Sequence, residues 1–509
     1  MNMQNVSKDT VTHCNKRKFL RFIKALFRHA INSLKTRNTA WNEQKYALAI
    51  DELKLALIDR TMSPAELLLN LQQKSSLSAL EKHEAAILTA LCNPEKFSSA
   101  KNRYRALITH LRQGLSCNEN SVLLNTLCNA RFTEVNLHTF GQSLVENMIH
   151  TGVDTVTNHP ICKTNYLQEL PVDAQLEAMT HYPRNPSTYL KVQLGKLKAT
   201  INHSFDPHIQ TNVPHKQLEF SIDNDQHVTM IGMGTPTIED GSSPAKINPE
   251  FRHFILNHSG SHLYINLQNN APKWRIGDES ARVRVLTAFS EASSGKLTLI
   301  TLAQDSLFYH QKGSFGKEIL SIKAFITRLI TYLQSGQHGY ACPAPKNTSF
   351  WTELENDLQI YARAIFDKQL DDPFSKNERR DFIELSYPVI IHHFLKECSA
   401  TSMNITCKDG IDRAGKAQGL FIQYLAIGEP SGFTTERKKL MAAICLARAP
   451  IVKAQPMILS RRRRFLSALD RTNEPSCQTR LQKQFWSTKK ERPSIQAPIH
   501  KESQTAISC

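Results

Sequence analysis

The segment from Ser402 to Leu420 constrains the fold of this chain more than any other part of the sequence. An apolar, β-like run leads into Cys407, Arg413 follows six residues later, and an apolar helical run continues from Leu420. Gly410 gives the backbone between them conformational freedom. The pattern predicts a short strand, a loop from Cys407 to Arg413, and then a helix.

The surrounding sequence alternates in the same way. Alternating apolar residues near 218–222 and 227–231 predict a hairpin, and strands are predicted at 263–267 and 297–302. Helices are predicted near 278–292, 316–334, 351–368 and 378–397. This alternation indicates the α/β class, a layered domain with a partly parallel sheet.

The sequence before residue 206 has a different pattern of apolar residues. Apolar residues recur there at helical spacing, and Ser63 followed by Pro64 marks a helix start. We therefore divide the chain into four parts: a basic amphipathic segment at 1–40, a helical appendage at 41–205, the α/β domain at 206–455 and a basic, largely disordered tail at 456–509.

The predicted loop has the chemistry needed to attack a phosphoester. Its backbone N–H groups can surround an anion, and the following helix directs its positive end at the same point. That field favours Cys407 as a thiolate, the reactive form. The planar guanidinium of Arg413 can bind two phosphate oxygens at once. The layout is that of a cysteine-dependent phosphatase loop, with a buried structural cysteine as the alternative.

The loop sequence resembles the loops of phosphoinositide phosphatases. Cys-x-Asp-Gly-x-Asp-Arg is similar to the myotubularin loop, Cys-x-Asp-x-(Leu/Ile)-Asp-Arg to the Sac loop, and Cys407-Lys408 to the inositol polyphosphate phosphatases. Other segments resemble the SidF/SidP-type phosphoinositide 3-phosphatases that Legionella injects into host cells: 234–238, 251–255, 262–268 and 305–311. The similarity covers roughly residues 215 to 430.

This resemblance implies hydrolysis of the 3-phosphate of phosphatidylinositol 3-phosphate or a related lipid through a phosphocysteine intermediate, with no metal or other cofactor. It implies Cys407 as the nucleophile, Arg413 as the phosphate clamp and Lys408 as a second cation for a headgroup phosphate. Gly410 and Ile411 of the same loop are assigned to substrate binding with Lys408.

An aspartate within the loop is the expected general acid for the leaving inositol oxygen. We prefer Asp412 to Asp409, although either residue can instead orient loop amides. Asp305 is a third candidate, because catalytic groups gather at the carboxyl ends of parallel strands. Its commoner role is a helix cap, which we favour here.

Several cations near predicted strand ends either line an anionic headgroup pocket or are scattered surface charges: Lys273, Arg275, His310, Lys312 and Lys317. Lys312 is the first of these that we expect at the site, because it follows a family-like segment. His392-His393 lacks a third ligand at useful spacing, so we expect no metal there.

Three positions depart from the resembling loops. Thr406 stands where many such phosphatases have His, and Ala414 replaces the Ser or Thr that helps the sulfur leave the phosphoenzyme, so we expect slow turnover. Ile411 replaces a second Lys, which favours a singly phosphorylated substrate. A catalytically weak or dead phosphoinositide-binding adaptor is therefore one alternative, and a protein tyrosine or dual-specificity phosphatase is another.

Composition sets further limits. The chain has 509 residues, is 40% hydrophobic and can bury a large core. We find no apolar run near 18 residues and no secretory h-region, so we expect neither a transmembrane helix nor a signal peptide. Eleven scattered cysteines without a Cys-x-x-Cys pair suit a reducing compartment.

The net charge of +17 is concentrated in two arms. Residues 1–40 carry nine Lys or Arg against one acidic residue, which gives +8, and residues 450–509 carry twelve against four, which also gives +8. The body between them has a net charge of only +1. A nearly neutral body is thus flanked by two basic segments.

The first arm predicts a basic amphipathic helix at 16–35. Its apolar residues recur at helical spacing: Phe19, Phe22, Ile23, Leu26, Phe27, Ala30, Ile31 and Leu34. Such a helix can lie in an anionic membrane surface, pack on the protein's own helical region, or bind a calmodulin-like partner.

The second arm contains Arg461–Arg464 and is expected to be disordered beyond Arg471. The arginines can bind phosphoinositide headgroups, serve as a nuclear address or remain solvated, and we expect no nucleic acid partner. The resemblance implies secretion by a type IV machinery into the host cytoplasm and peripheral attachment to host membranes.

Overall fold

The computed structural model describes residues 40–60, 62–157, 204–223, 226–240, 244–269, 279–453 and 455–496, together with positions 172, 175 and 179. The predicted amphipathic helix at 16–35 lies outside the described residues, as do Lys273 and Arg275. Among the described helices, none has the length and apolar character that crossing a membrane requires.

The region before the sheet is helical, as predicted. Its helices are α1 (40–58), α2 (Pro64–Gln72), α3 (Ala79–Cys92), α4 (Ala100–Cys117), α5 (Val122–Thr133) and α6 (His138–Thr157). Ser63 accepts a hydrogen bond from the Glu66 N–H, and Pro64 occupies the first helical position, so the predicted start of α2 is confirmed.

The strands are β1 (Ser204–Phe205), β2 (His215–Ser221), β3 (His227–Gly232), β4 (Thr237–Asp240), β5 (Lys246–Ile247), β6 (Ser261–Asn266), β7 (Leu297–Thr301), β8 (Leu320–Ser321), β9 (Pro373–Phe374), β10 (Ala400–Thr406) and β11 (Ser494–Gln496). Six of them form the main sheet in the order β11-β2-β3-β10-β6-β7. The pairings among β3, β10, β6 and β7 are parallel, whereas β2 pairs antiparallel with β3 and with β11. The predicted hairpin and partly parallel sheet are confirmed.

The helices of this part are α7 (Pro207–Gln210), α8 (Pro249–Asn257), α9 (Glu279–Ala292), α10 (Leu307–His310), α11 (Ile322–Ser335), α12 (Phe350–Phe366), α13 (Lys376–Glu397), α14 (Asp412–Gly428), α15 (Thr435–Lys453), α16 (Leu459–Asn473) and α17 (Pro475–Arg480). The helix predicted at 316–334 begins later, at Ile322, because β8 pairs with β9 there and Ser321 caps the helix by accepting the Ala324 N–H.

Strand β10 and helix α14 form the centre of the α/β part. The β10 side chains from Ser402 to Thr406 are all buried, as expected for a parallel strand covered on both faces. Helix α14 is buried from Arg413 to Gly428 and packs against α13, α15 and α16. The segment that leads from β10 to α14 is therefore held between two buried elements.

The prediction of a largely disordered tail from residue 456 is wrong for residues 456–496. These residues form α16, α17, two further short helical turns and β11, which pairs with β2 at the edge of the sheet. The arginine run lies in α16, where Arg464 binds the buried carboxylate of Glu384 at 3.0 Å. Several of the basic residues that suggested disorder have carboxylate partners far away in the sequence: Arg461, Arg464, Arg471 and Lys489.

A buried charge cluster joins the helical region to the α/β part. Glu250 in α8 accepts hydrogen bonds from Arg112 at 2.7 and 2.6 Å and from Arg131 at 2.6 Å. The side chains of Glu250 and Arg131 are fully buried. Lys45 in α1 adds a second link, since its Nζ donates to the carbonyl oxygens of Thr211 and Ile451.

Candidate active site

The loop from Cys407 to Arg413 lies at the carboxyl end of the central strand β10. Segments that follow the neighbouring parallel strands reach it at the same edge. The Thr235 N–H donates to the Lys408 carbonyl at 3.1 Å, and the Leu267 N–H donates to the Thr406 carbonyl at 2.9 Å. This is the edge of a parallel sheet at which ligands are generally bound.

Gly410 gives the loop its shape. Its φ is +64°, a left-handed conformation that other residues rarely adopt, and its N–H donates to the Cys407 carbonyl at 3.2 Å. A Cβ at this position would lie 2.1 Å from the carbonyl oxygen of Met233. Both the turn and the close approach of the backbone after β3 therefore require glycine here.

Cys407 is only 5% exposed and follows directly after β10. Its neighbour Thr406 donates a hydrogen bond from Oγ1 to the carbonyl of Met233 at 2.6 Å, which ties the end of β10 to the segment after β3. Ala414, where related loops are expected to carry a hydroxyl, is fully buried in the first turn of α14.

Two carboxylates hold the guanidinium of Arg413. Its Nη2 lies 2.7 Å from Oε1 of Glu279, and its Nη1 lies 2.7 Å from Oδ2 of Asp305. Nη1 also donates to the Leu267 carbonyl at 3.2 Å. Burial alone would raise the pKa of Glu279, but the charge and hydrogen bond of Arg413 outweigh it and lower that pKa. Arg413 is thus oriented by groups from two other elements.

Asp305 belongs to this cluster and does not cap a helix, contrary to the expectation. Ser306 is the cap of α10, because its side chain accepts the Tyr309 N–H at 3.0 Å. Asp305 instead binds Arg461 of α16 at 2.6 Å and lies 3.6 Å from Nε2 of His310. Burial would raise the pKa of Asp305, but His310 and the two arginines hold it well below its usual range.

The two loop aspartates have different partners. Asp409 lies 2.6 Å from Nζ of Lys453, and this cation outweighs the effect of burial and lowers the pKa of Asp409. Asp412 accepts a hydrogen bond from the Ile458 N–H at 2.9 Å, but burial dominates and raises its pKa. Asp412 therefore retains a proton to higher pH than Asp409 does, as a general acid must.

Lys408 lies beside a second set of charges. Burial lowers the pKa of Lys408, and the nearby cation Arg282 adds to this effect, whereas Asp409 and Glu239 oppose it. Arg282 itself is paired with Glu239 at 2.5 Å and donates to Gln268 at 2.8 Å. Lys408, the residue that follows Cys407, is thus surrounded by both positively and negatively charged side chains.

Of the further cations that the sequence suggested, His310 joins the site through Asp305. Lys312 and Lys317 are exposed, and among the contacts of the described residues neither side chain reaches the loop. Lys312 donates its backbone N–H to the Leu307 carbonyl at 3.0 Å. The expectation that Lys312 binds substrate is therefore not supported by its position.

Sequence reasoning missed three residues of the site: Glu279, Arg448 and Arg461. Arg448 is fully buried in α15, and its Nε donates to the Gly410 carbonyl at 2.9 Å. In the sequence, Arg448 stands out only as a lone arginine in the apolar stretch from Met441 to Val452. Arg461 was noticed only as part of a charged tail, and Glu279 had no local signal.

Comparison of the chain with protein-family models, with curated proteins and with solved structures found no match. Any activity is therefore a proposal that rests on the geometry of the site and on the resemblance of its loop. On one loop the protein carries a thiol at the end of a strand, a guanidinium held in place by two carboxylates, and a carboxyl group with a raised pKa.

Proposed function

We propose that this protein is a cysteine-dependent phosphatase that removes the 3-phosphate of phosphatidylinositol 3-phosphate or a related lipid. The observation that carries the proposal is the arrangement of Cys407, Asp412 and Arg413 on one loop after the central parallel strand. The cysteine-phosphatase-like fold is part of the same proposal and is supported by this position of the loop.

In the first step the thiolate of Cys407 attacks phosphorus and forms a phosphorus–sulfur bond. The bond between phosphorus and the inositol oxygen breaks, and Asp412 donates its proton to that oxygen. Arg413 binds the equatorial phosphate oxygens, with Glu279 and Asp305 fixing its orientation.

In the second step water attacks the phosphocysteine. The carboxylate of Asp412 takes a proton from the water, the phosphorus–sulfur bond breaks, and inorganic phosphate and the Cys407 thiolate are released. Ala414 provides no hydroxyl to assist the departing sulfur, so we expect this step to limit turnover.

The choice of a lipid substrate depends on the resemblance of the loop to phosphoinositide phosphatases. Lys408 follows the nucleophile, and Ile411 leaves a single additional cation in the loop, which suits a headgroup with one phosphate. Secretion by a type IV machinery into a host cell and action on its membranes are proposed on the same basis.

A second candidate is an adaptor that binds phosphoinositides without hydrolysing them. Thr406 and Ala414 favour it, because a loop that lacks the usual residues before the cysteine and after the arginine can still bind phosphate through its amides and Arg413 without cleaving it.

The test is release of free phosphate from short-chain phosphoinositides, soluble inositol phosphates and a phosphotyrosine peptide. We expect activity only with 3-phosphorylated lipids, complete loss in Cys407→Ser, and no change in the control Cys117→Ser, whose thiol is exposed on α4. Activity mainly on phosphotyrosine would overturn the lipid assignment. No release from any substrate, with lipid binding retained, would establish the adaptor instead.

A further inference from the structure

Helix α16 contacts the candidate active site at two points. The N–H of Ile458, the residue that precedes this helix, donates to Oδ1 of Asp412 at 2.9 Å. In the first turn, Arg461 donates from Nη2 to Oδ1 of Asp305 at 2.6 Å and from Nη1 to the Gln304 carbonyl at 3.3 Å. A helix from the C-terminal part of the chain therefore places a second guanidinium at the site.

Asp305 bridges this guanidinium and that of Arg413. Its Oδ2 accepts a hydrogen bond from Nη1 of Arg413 at 2.7 Å, while its Oδ1 binds Arg461. Glu279 binds Nη2 of Arg413 at 2.7 Å, and His310, which is charged only when protonated, lies 3.6 Å from Asp305. Two carboxylates and two guanidinium groups are thus linked in one set, and their formal charges cancel.

Without Arg461, two carboxylates would stand against one guanidinium, and the set would have a formal net charge of −1. Such a set repels a phosphate group, which carries about −1.5 to −2 charges at neutral pH. The side chains of Arg413 and Arg461 are only 11% and 17% exposed, so solvent and salt screen this repulsion only in part. The affinity of the loop for an anion therefore depends on Arg461.

We propose that Arg461 is a positioning residue for the phosphate site: by pairing with Asp305 it offsets the excess negative charge around Arg413, and so allows the loop to bind a tetrahedral dianion. The inference rests on the proposed function only in placing the phosphate at Arg413. It gives the arginine run of α16 a role in substrate binding that acts through Asp305.

The test measures binding of tungstate, a tetrahedral dianion, to the full-length protein by isothermal titration calorimetry, so it needs no turnover. We expect Arg461→Gln to weaken binding by about tenfold or more, because it removes one positive charge from the set. Arg461→Lys keeps the charge and should bind within about threefold of wild type. Arg463→Gln, at an exposed arginine of the same helix, is the matched control and should bind as wild type does.

A double variant separates this electrostatic role from a purely structural one. Asp305→Asn removes the carboxylate that Arg461 offsets, so the combination with Arg461→Gln leaves Glu279 and Arg413 as a balanced pair. We expect the double variant to bind tungstate more tightly than Arg461→Gln alone. Weaker binding by the double variant would overturn the inference, because a role in folding or shape predicts that the two losses accumulate.

Circular dichroism establishes that each variant is folded, and Arg461→Met replaces the glutamine variant if that one is not. Wild-type affinity in a folded, uncharged variant would overturn the inference. Arg413→Gln should abolish binding, and tungstate that still binds to it, or fails to bind to wild type, would also overturn the inference. The expected affinities without phosphate release from any substrate would sustain the inference while refuting the proposed activity.

Discussion

Asp409 and Asp412 lie three residues apart on one loop, yet their surroundings drive their protonation in opposite directions. The ammonium group of Lys453 stabilises the charged form of Asp409, whereas burial at the start of α14 destabilises the charged form of Asp412. Pairs of carboxyl groups separated in this way usually divide the roles of acid and charge partner.

Asp412→Asn is therefore expected to slow formation of the phosphocysteine from a phosphoinositide by about 10² to 10⁴-fold, the usual contribution of a general acid. Formation of the phosphocysteine from an aryl phosphate, whose leaving group needs no proton, should slow far less. Asp409→Asn is the matched control and should lower both rates only modestly. Single-turnover assays of leaving-group release from both substrates measure this first step, and equal slowing with the two substrates in Asp412→Asn would contradict the assignment.

The conformation of Gly410 allows a second prediction at the same scale. Gly410→Ala combines a left-handed backbone with a Cβ placed 2.1 Å from the Met233 carbonyl, whereas Gly432 has a similar φ of +72° and nothing within 4 Å. We expect Gly432→Ala to lower the free energy of unfolding by about 1 kcal/mol from strain alone. Gly410→Ala should lose clearly more and also lose activity.

Urea unfolding and phosphate release measure both effects. Equal destabilisation by the two alanine substitutions would show that the close approach between the loop and the segment after β3 is not maintained in solution.

At the scale of secondary structure, periodicity predicted most of the α/β part. The hairpin of β2 and β3 is recognisable from alternating apolar residues, and strand β10 and helix α14 are recognisable from the apolar runs on either side of the loop, because most side chains of these elements are buried. The same reasoning placed Cys407 and Arg413 on one loop, since both lie within a single continuous segment.

Residues that depend on distant partners could not be predicted in this way. Arg461 has its partner Asp305 156 positions earlier in the chain, and Glu279 meets Arg413 across 134 positions. The sequence of α16, taken alone, has four consecutive arginines and low hydropathy. Disordered segments have the same composition. Carboxylates supplied by other elements, together with the buried apolar side chains of Phe465, Ala468 and Leu469, make that helix part of the folded core.

At the scale of the whole molecule, Glu250 links the helical region to the α/β part through buried ion pairs with Arg112 and Arg131. Burial would raise the pKa of Glu250, but the two arginines outweigh it and hold that pKa well below the usual value of 4.5. A carboxyl group whose pKa is lowered on folding contributes stability above its unfolded pKa and loses that contribution as pH falls through its folded pKa.

Glu250→Gln should lower the free energy of unfolding at neutral pH by about 3 to 5 kcal/mol, because it leaves the fully buried guanidinium of Arg131 without a carboxylate, whereas Arg112 keeps Asp206 at 2.6 Å. It should also flatten the decrease in stability below about pH 4.5. Glu219→Gln, at the partly exposed pair with Lys216, is the control and should change stability by less than about 0.5 kcal/mol.

Urea unfolding at neutral and acidic pH measures both properties. Glu279 and Asp305 also have lowered pKa values, so some acid sensitivity should remain in Glu250→Gln. If the free energy of unfolding of Glu250→Gln falls as steeply with decreasing pH as that of wild type, the role given to Glu250 is refuted.

The strand order has a consequence for how the chain acquires its structure. Strand β10 lies between β3 and β6, although both precede it by more than 130 positions, and β11 completes the opposite edge near residue 495. The central pairings of the sheet cannot form until a late segment inserts between two early ones, and such long-range pairing is expected to slow folding. A ribosome-bound chain that has emerged only to residue 390 lacks the central strand, so the loop from Cys407 to Arg413 cannot take its place at the edge of the sheet before that strand has been made.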